Sequence, residues 1–154
     1  MKKILMALVI CLALVSLVSC KNEIKPLTAV NATYVFSEDS FEATKAYMLK
    51  EGFATEAEVN AITYDMFLAI LMSEEGVNLE KCSFEFRSDN TFKQTLYMDG
   101  SSLSQEGKYR ITEDFEIYVY IDGYEDMGDT IGEFCDGNMN YFYWYVSGAF
   151  LGKK

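Results

Sequence analysis

The sequence predicts a mainly β domain, an antiparallel meander or barrel that is interrupted once, after its first strand, by two helices. Three observations predict it. From Cys82 onward apolar and polar residues alternate with period two, and Gly, Asp and Asn turns break the alternation. Between residues 40 and 75 the apolar positions recur at three- and four-residue spacing instead. Half of the chain is hydrophobic and 15% is aromatic, enough to bury a core and too much for disorder.

Thr33-Tyr34-Val35-Phe36 is a β-rich run ended by Ser37-Glu38-Asp39, and it reads as the first strand. Ser40 is placed to cap a helix reaching Lys50, with Phe41, Thr44, Tyr47 and Met48 on one side. Gly52 suits the left-handed residue past its end. Thr55-Glu56-Ala57-Glu58 is a capping-box pattern. Val59, Ile62, Met66 and Ile70 behind it predict a second, longer helix to about Glu74, stopped by Gly76.

Cys82, Phe84 and Phe86 then alternate with Ser83, Glu85 and Arg87, and Ser88-Asp89-Asn90 turns the chain into Phe92, Gln94, Leu96 and Met98. Asp99-Gly100 makes the next turn, and Gly107 to Ile111 begins another strand. Thr112-Glu113-Asp114 separates it from the strand Phe115 to Ile121. Asp122-Gly123 and Asp136-Gly137-Asn138 flank a short strand, and Met139 to Phe150 reads as the last one. Closing such a meander removes exposed strand edges, so a barrel is favoured.

The start of the chain is of another kind. Met1-Lys2-Lys3 precedes an uncharged apolar run from Ile4 to Val18, followed by Ser19-Cys20. This is a basic n-region, an h-region and a small residue before a cut. The run is shorter than the roughly 20 residues that cross a bilayer. Leu17-Val18-Ser19-Cys20 resembles the lipobox of bacterial lipoproteins. The resemblance implies a signal peptide over 1–19, a diacylglycerol thioether on Cys20, and acylation, for example by palmitate, of the new amino terminus. Two or three acyl chains make a stable anchor where one does not. The expected location is the extracytoplasmic face of a bacterial cell envelope. Lys21 stands where an aspartate would mark inner-membrane retention, which favours the outer membrane in a two-membrane organism.

Residues 20–30, which hold the only proline, Pro26, are expected to tether the lipid to a single domain over 31–154. Cleavage removes Lys2 and Lys3 from 13 basic residues set against 24 acidic ones, and takes the formal charge from −11 to −13. So acidic a surface repels nucleic acid and anionic lipid alike. The expected partners are therefore the membrane, through the lipid on Cys20, and either a small apolar ligand or an envelope protein.

The opening Thr33-Tyr34, the Phe86 to Phe92 hairpin with Ser88-Asp89-Asn90-Thr91, the Gly107-Lys108-Tyr109 strand start and the Asp136-Gly137-Asn138 turn are similar to small lipocalin-like domains found in bacterial lipoproteins. That resemblance implies a lipocalin-like barrel and adds modest weight to ligand binding.

Histidine is absent, which removes the commonest general base and metal ligand together with Ser-His and Cys-His pairs. No nucleophile elbow, P-loop or dinucleotide fingerprint occurs, so no enzyme and no cofactor are expected. Asp122, Glu125, Asp126 and Asp129 cluster in one turn region. They are the only weak candidate for calcium, or for a carboxylate-dependent enzyme on envelope polysaccharide. Solvated turn acids are the plainer reading. Cys82 and Cys135 form a candidate disulfide outside the cytoplasm, against the alternative of two small buried hydrophobes.

The tyrosines carry the strongest binding signal. With Phe115, Ile117, Val119 and Ile121 inward, Tyr118 and Tyr120 face out; with Phe142, Trp144, Val146 and Phe150 inward, so do Tyr141, Tyr143 and Tyr145. Five tyrosines on one face could bind a partner or a glycan. Alternatively the helices cover them with Phe41, Tyr47, Ile62, Met66 and Ile70, or the sheet is reversed and the tyrosines line a ligand cavity. The expected function is a non-catalytic ligand-binding or protein-interaction role, with an envelope protein inhibitor or the polysaccharide enzyme as alternatives.

Overall fold

The computed structural model describes residues 30–124, 128–134 and 139–154. Eight strands form a closed antiparallel barrel in which each pairs with the next and the last with the first. They are β1 (Ala32–Val35), β2 (Ser83–Phe86), β3 (Thr91–Met98), β4 (Ser101–Ile111), β5 (Glu116–Ile121), β6 (Asp129–Glu133), β7 (Tyr141–Trp144) and β8 (Ala149–Lys153). This up-and-down barrel is the architecture the period-two pattern predicts, and it is lipocalin-like, as the resemblance implies. Helices α1 (Glu38–Lys50), α2 (Glu56–Ala61) and α3 (Tyr64–Glu74) lie between β1 and β2.

Local chemistry explains most boundaries. The capping box forms at Thr55, whose hydroxyl receives the Glu58 N–H while Glu58 receives the Thr55 N–H. Gly52 and Gly76 sit at φ +74° and +68° past helix ends. Asn90, and Asp99 with Gly100, take the positive φ that their hairpin turns require. The Asp89 carboxylate accepts the Thr91 N–H and hydroxyl, which holds its pKa below the usual range.

Three sequence expectations about the helices and the last strand need correction, and β4 begins at Ser101, six residues before the expected Gly107. The insertion holds three helices, because Ile62 is extended (ψ 120°) and Thr63 caps a new helix through the Met66 N–H. The α1 cap is Ser37, which leaves Ser40 buried inside the helix. The last segment is a hairpin: Tyr145 to Gly148 turns between β7 and β8, with Gly148 at φ +59° donating its N–H to the Trp144 carbonyl. Val146 is therefore exposed in the turn, and Phe150 points outward opposite Tyr143.

The barrel interior is filled by rings. Tyr34, Phe84, Phe86, Phe92, Phe134, Phe142 and Trp144 are all buried. Their centroids stand 5.1 Å apart for Phe84–Phe142 and Phe84–Trp144, 5.7 Å for Phe86–Phe142 and 5.6 Å for Tyr34–Phe134. These are edge-to-face and tilted distances at which ring quadrupoles attract. Phe67 and Leu71 of α3 join the same core, so this helix plugs one barrel end. At the other end the Tyr109 hydroxyl receives the Val30 N–H at 2.7 Å and lies 2.9 Å from the Arg87 carbonyl. It fixes the point at which the chain enters the barrel.

The seam between β1 and β8 is closed by a helix. Only Tyr34 and Val35 pair with β8. On that side the alternate N–H groups of β8 and the residue after it go to different acceptors: Phe150 to Thr44 Oγ1, Gly152 to Ser40 Oγ and Lys154 to the Thr33 carbonyl. Four helical residues rise about 6 Å and two strand residues about 6.7 Å, so hydroxyls at i and i+4 match alternate strand donors. Gly152 permits this, since a Cβ there would stand 2.9 Å from Ser40 Oγ. α1 thus covers an edge that β1 is too short to pair.

Tyr64 packs between Phe36 and Phe41 and donates its hydroxyl to Glu80 Oε1 at 3.1 Å. Burial first, and then that carboxylate, push its pKa up to about 12. The raised value means that the folded state holds the proton longer than the unfolded one. The stabilisation is complete below about pH 10 and is lost as pH rises toward 12. Subtracting the 295 nm titration of Tyr64→Phe from that of the parent is expected to show one late phenol, and Glu80→Gln should bring it earlier.

Candidate functional site: the outer tyrosine face

Alternation along β5 places Ile117 and Val119 in the core and turns Tyr118 and Tyr120 outward, half-buried, with ring centroids 5.1 Å apart. On β4 the residues opposite them are Arg110 and Lys108, both exposed. The Arg110 guanidinium lies 4.9 Å from the Tyr118 ring centre, within cation–π range. The Tyr118 hydroxyl donates to the Gly128 carbonyl at 2.8 Å. Position 128 must be small, because a Cβ there would run into the Tyr118 ring. Two tyrosines and two cations therefore share one fixed surface on a strongly acidic chain.

The other three tyrosines fare differently. Tyr141 and Tyr143 also point outward from β7, opposite Gly152 and Phe150. Tyr143 is buried beneath α1, 5.2 Å from Tyr47 and 5.1 Å from Phe150. Tyr145 stands at the turn, 6.0 Å from Tyr143. The helical cover is thus made by Tyr47 with Phe53. Phe41 packs on Tyr64 and Phe67 instead, Ile62 supports the barrel core, and Met66 is exposed. The five tyrosines divide into an open pair on β5 and a group on β7 and the turn after it that α1 partly covers. Beside the latter, an open hollow of about 430 Å³ runs from Ser37 and Asp39 to Tyr141 and Lys153.

Of the acidic cluster, Asp122 and Asp129 are exposed, and Asp129 accepts the Thr130 N–H at 2.8 Å. Glu125 and Asp126 lie outside the described residues. Among the described residues no three acids or cysteines converge on a metal-sized site. The described carboxylates with lowered pKa are explained locally: Glu58 by its capping box, Glu85 by Arg87 at 2.7 Å, and Asp89 by its turn.

Cys82 is buried; its thiol lies 3.3 Å from the Asn78 carbonyl, and the Tyr97 N–H donates to its sulfur at the same distance. Burial pushes the thiol pKa up, which makes it a weak nucleophile. Its candidate partner Cys135, like the lipidation residue Cys20, lies outside the described residues.

In the sequence Tyr118 and Tyr120 stand out as binding candidates, whereas Lys108 and Arg110 do not. The usable signal was their period-two spacing beside Tyr109, which must face in. No protein-family model matches the chain, and no curated protein or solved structure matches it, so its function is read from this geometry.

Proposed function

We propose that the chain is a lipid-anchored extracytoplasmic lipoprotein whose barrel serves as a non-catalytic protein-interaction module. The observation that carries this reading is the filled interior. The inward positions that would line a ligand calyx are held by Tyr34, Phe84, Phe86, Phe134 and Phe142 in mutual ring contact. Recognition is thereby moved to the outside, where Tyr118, Tyr120, Lys108 and Arg110 combine aromatic area with positive charge. Such a composition suits an anchor region in a protein interface.

Two measurements test the proposal. Cys20→Ser is expected to move the protein from the membrane to the soluble fraction, and persistence in the membrane would defeat the lipid-anchor reading. Native mass spectrometry of the purified chain is expected to show no retained small molecule. A stoichiometric apolar adduct would return the function to ligand carriage.

A further inference from the structure

Among the described residues, barrel closure leaves part of one edge of β4 unpaired. β4 pairs with β3 from Ser101 to Lys108, yet with β5 only from Gly107 to Ile111. The last bond above that register is the Asp122 N–H donating to the Glu106 carbonyl at 2.9 Å. Backbone groups alternate sides along a strand, so the N–H and C=O of Ser102 and Ser104 point the same way as those of Glu106, away from β3. Among the described residues none pairs with them. The equivalent gap beside β8 is covered by α1, whereas none of the described residues pairs with this one.

The edge also lacks the devices that keep edges single. Ser101-Ser102-Leu103-Ser104-Gln105 contains no Lys, no Pro and no bulge. It is free of charge in a chain of formal charge −11, so the pairing segment itself brings no like charges together. Leu103 at its centre is 52% exposed.

We propose that this edge pairs antiparallel with the same edge of a second copy, about a two-fold axis at Leu103. Ser102 then faces the partner's Ser104 and Ser104 faces the partner's Ser102, which makes four backbone hydrogen bonds between groups already aimed outward. Leu103 meets the partner's Leu103 in a non-hydrogen-bonded pair, the arrangement with the closest side chains. Sliding the register by two residues halves the bonds and parts the leucines. A two-fold contact closes on itself, so the product is a dimer and no fibre.

Cysteine cross-linking of the full-length chain tests the axis. In a non-hydrogen-bonded pair the Cα atoms stand about 4.5 Å apart, within disulfide range. Leu103→Cys is therefore expected to give a covalent dimer under mild oxidation, well above the parent with its native cysteines. Ser102→Cys and Ser104→Cys would lie roughly 8–9 Å from their own copies, beyond the limit of about 7 Å, and should not react. Adding Ser104→Pro to Leu103→Cys should suppress the dimer, because it removes an edge donor that β3 does not use. Equal cross-linking at 102, 103 and 104, or none above the parent, would overturn the proposal. So would a parent that sediments only as a monomer at about 100 μM, well into the range where weak interfaces form; an edge occupied by another protein's strand would give that result.

Discussion

Phe142→Ala is expected to destabilise the domain by about 3–5 kcal/mol, the range for removing a fully buried ring. Phe142 is fully buried and its ring meets four others: Tyr34 at 6.1 Å, Phe84 at 5.1 Å, Phe86 at 5.7 Å and Phe134 at 6.2 Å. These neighbours come from β1, β2 and the end of β6 and are themselves fixed by strand pairing, so the vacated space cannot collapse without moving backbone. The loss is a large part of the roughly 5–15 kcal/mol that holds a domain together. At about 4 °C per kcal/mol it predicts a melting point lower by about 12–20 °C. Tyr120→Ser, on the outer face of β5, is the contrast, with an effect within about 0.5–1 kcal/mol. Urea titrations of both variants decide the matter, and equal effects would show that the inward and outward faces have been wrongly distinguished.

That distinction was readable in the sequence because period two carries it directly. Phe84, Phe86, Ile117 and Val119 alternate with charged, polar or tyrosine neighbours, and all four are buried. It failed at the carboxyl end for a physical reason. Tyr141 to Leu151 is apolar on both phases because β7 and β8 are buried on both faces, by the barrel inside and by α1 outside. With no polar phase to mark the outside, the alternation puts Phe150 on the wrong side, and Ser147-Gly148 was the only signal of the turn. Ser101 to Glu106 was missed on opposite grounds. Its serines have little strand propensity, and it is held by the Asp99-Gly100 turn and six pairings with β3.

The face of Tyr118 and Tyr120 was legible for the same reason as the core, since outward is defined only relative to inward. Its cations were less so. Lys108 and Arg110 acquire meaning only from the cross-strand register that sets Lys108 opposite Tyr120 and Arg110 opposite Tyr118. Register is a property of two segments, and the turn Thr112 to Phe115, with Phe115 at φ +64°, fixes it in a way no single strand reveals.

Thr44→Val combined with Ser40→Ala is expected to open the seam between β1 and β8. Valine keeps the shape of threonine and a similar helix preference, so the change at 44 isolates the hydroxyl. It strands the buried Phe150 N–H, now 3.0 Å from Thr44 Oγ1. Leaving a buried donor unpaired costs about 1–3 kcal/mol. Ser40→Ala does the same to the Gly152 N–H, at 2.8 Å, and also removes the donor within 3.3 Å of the Val35 carbonyl. The two sites share one seam, so their effects should not simply add. Hydrogen exchange locates the damage: the amides of Phe150 and Gly152 should exchange more than tenfold faster at a local cost of about 1.4 kcal/mol, while those of the β3–β4 ladder change only with global stability. Thr44→Ser, which keeps the oxygen, should restore protection at Phe150. Exchange that stays slow in the double variant would mean that the β8 edge is held by packing against α1 and not by its hydroxyls, and the helix would then be a cover for Tyr143 and Phe150 before it is a substitute strand.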